Sequence, residues 1–420
     1  MFLTLLEKVP ATFRGRVAAV SGAILLSLVA ILFATCGEVA QHAFRTVAQT
    51  HPLSPIIISP AIFMVVVYAT RRWVPAARGS GIPQVIAAGH NPELAAKGPL
   101  VSLRSAAAKF AGTLMMLLGG ASIGREGPTV QISAALMVAV HRWLRVPVSA
   151  GVVIAGGAAG VAAAFNTPVA GVAFAIEELS SAFEQKVAVF VMAAVMISGL
   201  VSLGLSGDYV YFGVMSEKMP VRDMLLIAPL AGVIGGVAGG LFSRGLIAMS
   251  SSVSPLLAHA RAHPVLFAGA CGLIVAISGV VTAGLTWGTG YETTRDLLAG
   301  HHAPLIFGPA KFIAALATAL SGAPGGIFAP SLSVGAGLGS LLSQLAPFAP
   351  PGAVVLLGMA GYFTGVVRAP LTASIIMMEM TAERSMILPL FATALIADWI
   401  SSLVCQPKLY HALSKQFLPA

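Results

Sequence analysis

The chain has 420 residues, of which 9 % are charged and 57 % apolar, whereas an ordinary soluble domain carries about a quarter charged residues. A water-facing fold of this size needs far more polar surface, so most of the chain must face lipid or other lipid-embedded helices. The net charge of +9 comes without an aromatic-interleaved basic patch to support nucleic-acid binding, and is better read as membrane topology.

Taken in order, Lys8, Arg14 and Arg16 precede an apolar stretch from Val17 to Cys36. No small-residue cleavage site follows closely, so a retained first span is expected and not a signal peptide. Arg71, Arg72 and Arg78 follow the second apolar run, and together these cations predict a cytoplasmic N-terminus and first return loop. Val187–Leu205, Met224–Met249 and Val265–Leu285 are further stretches that span, or nearly span, about 30 Å of hydrocarbon. Between them lie shorter apolar runs broken by many of the 45 Gly and 26 Pro residues. Short, interrupted membrane helices mark transporters and channels, whose irregular backbone lines a buried or watery site.

Cys36, Cys271 and Cys405 form no CxxC pair, the nine histidines show no ligand spacing, and no GxxxxGK[ST] occurs. The sequence therefore implies no metal, no cofactor and no ATP-driven pumping by this chain.

The most polar mid-chain segment, Ser206–Asp223, divides two hydrophobic halves of similar length. Lys109–Pro128 (KFAGTLMMLLGGASIGREGP) and Lys311–Pro330 (KFIAALATALSGAPGGIFAP) agree at 8 of 20 positions without a gap, at an offset of 202 residues. The same offset lays Asn166-Thr167-Pro168 over Arg368-Ala369-Pro370 and Glu177 over Glu379, and Gly79-Ser80-Gly81 pairs with Gly288-Thr289-Gly290 at an offset of 209. Two-fold internal duplication is the ordinary construction of secondary transporters. Sequence similarity alone does not tell parallel from inverted repeats.

Three segments share one design, a Gly-rich turn, then Pro, then an apolar helix-forming run: GSGIP at Gly79–Pro83, GREGP at Gly124–Pro128 and GIFAP at Gly326–Pro330. Pro is favoured at a helix start, where its missing N–H costs nothing, and Gly lets backbone approach a ligand. The unpaired N–H groups and the positive end of the helix dipole then face whatever precedes the helix. Such starts solvate an anion in a bilayer without a fixed cation that would bind it too tightly for release.

GSGIP, GREGP and GIFAP in this order, with Tyr410 in PKLYHAL, closely resemble the CLC chloride channel/transporter family over about Val17–Leu413. The resemblance implies an all-α polytopic membrane fold of many tilted and half-spanning helices in two inverted repeats, forming a homodimer with a pore in each subunit. One transmembrane domain, 1–420, is then expected, with repeat one over about 17–205, repeat two over about 224–405 and a C-terminal helix over about 406–418. It further implies that Ser80 and Tyr410 donate hydroxyls to chloride, that Ile327 and Phe328 give backbone N–H groups to a central ion, and that Glu126 is a gating carboxylate able to occupy an anion site itself. Gly79, Gly81, Arg125 and Gly326 support these groups. Elementary chemistry agrees for Glu126, because a carboxylate at a helix N-terminus competes for the same dipoles as chloride and protonation releases it. Glu178 matches the internal proton-transfer glutamate of the family's exchangers and Glu177 its acidic neighbour, which reads as structural.

Ser80 is the chloride-type residue at its position, with bromide and nitrate tolerated. The chain ends ten residues after Tyr410, which leads us to expect a compact prokaryotic type without cytoplasmic regulatory domains, in the cell's inner membrane. Lys109, Lys311, Arg125 and Arg368 read as electrostatic or structural, and Glu379 and Asp398 as packing or capping groups. The expected function is proton-coupled chloride antiport. A passive voltage- or pH-gated chloride channel on the same scaffold is the alternative, and retention of both Glu126 and Glu178 favours exchange. An embedded hydrolase built on Ser80 or His141 lacks a convincing partner residue, and an organic-solute carrier would need more embedded polar groups.

Overall fold

The computed structural model describes residues 11–179, 185–215, 217, 219–252 and 254–418, so Lys8 lies outside the described residues. Helices dominate. The first repeat contains α1 (Ala11–Thr50), α2 (Pro55–Trp73), α3 (Ile82–His90), α4 (Pro92–Lys97), α5 (Leu103–Leu118), α6 (Glu126–Trp143), α7 (Ala150–Phe165), α8 (Pro168–Phe174) with a π-turn at Ala175–Leu179, and α9 (Gln185–Ser206). The second contains α10 (Val221–Ser251), α11 (Pro255–Ala262), α12 (Pro264–Val281), α13 (Tyr291–Leu298), α14 (Phe307–Leu320), α15 (Phe328–Leu345), α16 (Pro351–Val367), α17 (Pro370–Thr381) and α18 (Ile387–Val404). A short α19 (Leu409–Ser414) and a 3₁₀ turn at Lys415–Phe417 end it.

Six helices among the described residues are long and apolar enough to cross a membrane: α1, α2, α9, α10, α12 and α18. The first exceeds its expected extent: at 40 residues and about 1.5 Å per residue it is near twice the hydrocarbon thickness, so it runs on well past Cys36. The spanning helices keep much of their surface exposed. α7 and α16, by contrast, are 16 and 17 residues long and buried on every side, as helices apolar all round must be.

The two halves are inverted repeats, and reciprocal contacts show the two-fold axis that relates them. Gly124 and Gly326, one repeat offset apart, form an antiparallel bridge in which each N–H donates to the other's carbonyl at 2.8 Å. Glu177 accepts from Leu371 N (2.9 Å) and Thr372 N (2.7 Å) at the start of α17. Its repeat mate Glu379 accepts from Val169 N (3.1 Å) and Ala170 N (2.7 Å) at the start of α8. When i meets j′ and i′ meets j, the two units are related by a two-fold axis. The local detail repeats as well: Asn166 (φ 57°) and Arg368 (φ 60°) both end their helices in the left-handed conformation. Asn adopts this readily. Arg368 is held there by Asp398 (2.9 Å) and the Gln406 carbonyl (2.7 Å).

Close helix crossings rest on glycine. A Cβ on Gly235 or Gly239 of α10 would collide with the backbone of α16 at Gly361 or Gly365. Both pairs have the four-residue spacing that lets membrane helices approach to backbone contact.

Candidate functional site

All three glycine-proline segments open helices as expected, with one difference in register. Pro83 is the second residue of α3, while Pro128 and Pro330 are the third residues of α6 and α15. Each still falls in the first turn, where the backbone N–H has no intrahelical acceptor. The starts converge. Gly79 N donates to Gly322 O (3.3 Å) and Gly325 N to Gly79 O (3.1 Å), tying the first motif to the loop that leads into the third. A Cβ on Gly127 would strike Ser80 Oγ and lie 3.3 Å from Gly326 Cα. Gly81 is left-handed (φ 104°), and a Cβ there would come within 2.9 Å of Gly127 O. One residue from each motif thus meets the others at a single point inside the protein.

Carbonyl oxygens repel an anion, and a turn able to receive one has to engage its carbonyls elsewhere. Buried Lys109 does this with Nζ, which donates to Gly79 O (2.7 Å) and Arg78 O (3.2 Å). Gln84 Nε2 also takes Arg78 O (2.7 Å). The Ser80 hydroxyl is left free: Ser80 Oγ and Tyr410 Oη are both buried without a hydrogen-bond partner, although the two side chains are neighbours. Buried hydroxyls normally find partners, and two unpaired ones side by side define a place for an acceptor. Tyr410 is fixed from behind by Phe328, whose ring packs at 6.2 Å from it and touches Phe165, Phe174 and Phe363. Ser80, Gly79, Ile327 and Tyr410 line a cavity of about 330 Å³.

The repeat mate of this corner is built differently. Thr289, the counterpart of Ser80, has both its N–H (3.1 Å) and its hydroxyl (3.4 Å) on Gln41 Oε1. Lys311 repeats the role of Lys109, donating to Gly288 O (2.8 Å) and Thr286 O (2.9 Å). The glycine-rich turns look equivalent in sequence, yet an α1 side chain fills one of them.

Glu126 is the first residue of α6 and fully buried. Its Oε2 accepts from Ala329 N in the first turn of α15 (3.4 Å), while Oε1 has no partner. A Cβ on Gly124 would collide with this carboxylate. The carboxylate therefore sits where the starts of two oppositely directed helices meet, drawn by both dipoles. It lines neither major cavity. On its far side a cavity of about 580 Å³ is lined by Arg125, Arg45, Glu38, Tyr209 and Tyr211. Arg125 bonds the Ala34 carbonyl (2.5 Å) and Glu38 (3.1 Å) on α1, so it braces α1 and not the turn in which it sits. Glu126 thus lies in the chain between Arg125, which lines one cavity, and Gly127, which packs on Ser80 in the lining of the other.

Glu177 and Glu178 diverge at the π-turn Ala175–Leu179, a wide turn that re-aims successive side chains. Glu177 caps α17 through three hydrogen bonds, the third from Thr372 Oγ1 (2.7 Å). Glu178 is fully buried, both its oxygens lack hydrogen-bond partners, and His411 Nδ1 lies 3.4 Å from Oε1. Sequence reasoning missed His411. The signal was present in PKLYHAL, one residue after Tyr410, but only the docking of α19 brings it to the π-turn. His141 is buried with its Nδ1 on the Met137 carbonyl (2.8 Å), an ordinary core histidine.

Residues 61–402 match the voltage gated chloride channel family. The chain is 32 % identical over 395 residues to the H(+)/Cl(-) exchange transporter ClcA of Salmonella agona (strain SL483), covering 90 % of this chain and 80 % of that protein, and equally to its counterpart in Salmonella dublin. Its fold is similar to the crystal structure of a slow cyanobacterial Cl-/H+ antiporter, with TM-score 0.80 and 24 % identity over 97 % of this chain and 98 % of that one. It is also similar to a CLC-type fluoride/proton antiporter, with TM-score 0.78 and 22 % identity over 95 % and 96 % of the two chains. With inverted repeats, converging helix starts and these relatives in agreement, the chain belongs to the voltage gated chloride channel (CLC) family of multi-pass membrane proteins.

Proposed function

We propose that the protein exchanges chloride for protons across the cell's inner membrane. The observation that carries this reading is the Glu126 carboxylate lodged between two helix starts. While ionised it fills the place an anion needs; protonated, it loses its hold on the dipoles and yields. Proton binding and anion passage are thereby linked at one group. The free hydroxyls of Ser80 and Tyr410, with the leading amides of Ile327 and Phe328, would hold chloride on the other side of the gate, with bromide and nitrate as tolerated substitutes. Glu178 supplies a carboxylate off that path for the proton, which an anion pathway of positive dipoles repels.

Orientation follows from charge. Arg71, Arg78 and Arg261 line the vestibule of Ser80 and Tyr410, whereas Arg45 and Arg125 on the opposite side are paired with Glu292 and Glu38. The unbalanced cations favour the Tyr410 side as cytoplasmic, which makes the N-terminus cytoplasmic too. We read the chain as one transmembrane domain of two repeats that works as a homodimer in the bilayer. The test is flux from proteoliposomes followed with chloride and pH electrodes together. Protons driven uphill by a chloride gradient establish exchange, and chloride moving at channel rates without proton counterflow gives the passive-channel reading instead.

A further inference from the structure

Glu178 has no route of its own to water. Its side chain is 0 % exposed and neither oxygen has a hydrogen-bond partner, yet a proton-transfer carboxylate must exchange with solution on every cycle. The group beside it is His411, whose side chain is 38 % exposed and whose Nδ1 stands 3.4 Å from Glu178 Oε1, also without a hydrogen bond. That gap slightly exceeds the usual 2.7–3.2 Å, and a small ring rotation closes it. We propose that His411 is the proton relay between the cytoplasmic solution and Glu178, an inference that rests on the exchange reading above.

The neighbours are unsuited to the task. Glu177 is committed to Leu371 and Thr372 at the cap of α17. Lys408 precedes α19 and Lys415 follows it, and neither makes a hydrogen bond or ion pair to Glu178. Among the elements packed on α19, α3 contributes His90, whose Nδ1 is taken by the Ile86 carbonyl at 2.8 Å. α10 contributes Arg244, and α16 ends in Arg368, held by Asp398. Among the described residues packed around Glu178, His411 alone combines an exposed side chain with a ring nitrogen that faces the carboxylate without a hydrogen bond, and imidazole is a group able to take a proton on one nitrogen and give it from the other.

Its position also parts the two ions. Tyr410 lines the anion vestibule and His411 does not, because consecutive helical residues point about 100° apart. One turn of α19 therefore presents a phenol to the anion and an imidazole to the proton. In the transfer, the neutral Nδ1–H tautomer takes a proton on Nε2 from a hydronium ion of the solution, leaving water; the Nδ1–H bond then breaks as an O–H bond forms on the Glu178 carboxylate, and the ring is left neutral with its proton on Nε2. A ring flip restores the starting tautomer, and the reverse sequence returns the proton.

The experiment compares wild type, His411→Gln and His411→Ala in proteoliposomes, with chloride and proton flux read from the same vesicles. Gln can donate a hydrogen bond to Glu178 but relays no proton, so both variants should lose about tenfold or more of proton flux with a much smaller loss of chloride flux. Added imidazole should restore proton movement in His411→Ala. A wild-type proton-to-chloride ratio in His411→Gln overturns the relay and leaves exchange standing. Failure of imidazole to restore His411→Ala, or equal loss of both fluxes in monodisperse protein, also overturns it, since both indicate a structural role. Wild-type vesicles that move chloride but no protons overturn the exchange reading, and the relay with it.

Discussion

Ser80→Ala isolates the anion site from the stability of the fold. Ser80 Oγ is buried without a hydrogen-bond partner, so its removal breaks no hydrogen bond within the protein and leaves no partner stranded. Deleting an unpaired buried hydroxyl is neutral or mildly stabilising. With chloride present the same oxygen would donate one hydrogen bond to an ion, and bonds to charged groups contribute about 1.5–3 kcal/mol. The 330 Å³ cavity beside it admits water that replaces part of the loss, which places the effect near the lower end. Chloride affinity should then fall about tenfold, as about 1.4 kcal/mol requires. Calorimetric titration of detergent-solubilised protein with chloride reads the affinity, and a thermal melt in chloride-free buffer reads the fold. An unchanged affinity, or an affinity loss accompanied by an equal loss of stability without chloride, removes Ser80 from the site.

Glu126→Gln mimics the protonated gate and should leave chloride flux running with little pH dependence and no proton counterflow; proton pumping by this variant would defeat the gate assignment. Glu178→Gln should abolish proton flux while chloride still binds and moves, and retention of proton flux would make Glu178 a structural acid. Glu177→Ala removes three hydrogen bonds at the cap of α17 and should destabilise the protein by about 1–2 kcal/mol, read as an earlier midpoint in SDS titration, with the proton-to-chloride ratio kept. A changed ratio in that variant would bring Glu177 into proton transfer.

Much of the fold was legible because each feature is local in the chain. The scarcity of charge forces the chain into lipid, and Gly-Pro punctuation marks helix starts whatever surrounds them. The offset of 202 residues exposes the duplication without coordinates. The symmetry relation was not legible: parallel and inverted repeats have the same sequence similarity, and reciprocal contacts such as Gly124 with Gly326, which reveal the two-fold axis, form only in the folded chain. Lys109 and Lys311 could be recognised as repeat mates, but their shared task of turning carbonyls away depends on where two loops fold back.

The candidate site divides the same way. The sequence by itself determined which segments could solvate an anion, since a helix start needs only its own first turn to present free N–H groups. It also determined that Glu178 owes nothing to duplication, its mate being Met380. The tertiary structure decided which start keeps an unpaired hydroxyl and which has it bonded, because Gln41 reaches Thr289 only when α1 packs beside it. It likewise decided that Glu177 is a cap and Glu178 a buried acid beside His411: adjacent in the chain, they part at a π-turn, one toward α17 and the other toward α19. His411 is 233 residues from Glu178 in sequence, and no local pattern encodes a contact that arises only when the last helix docks.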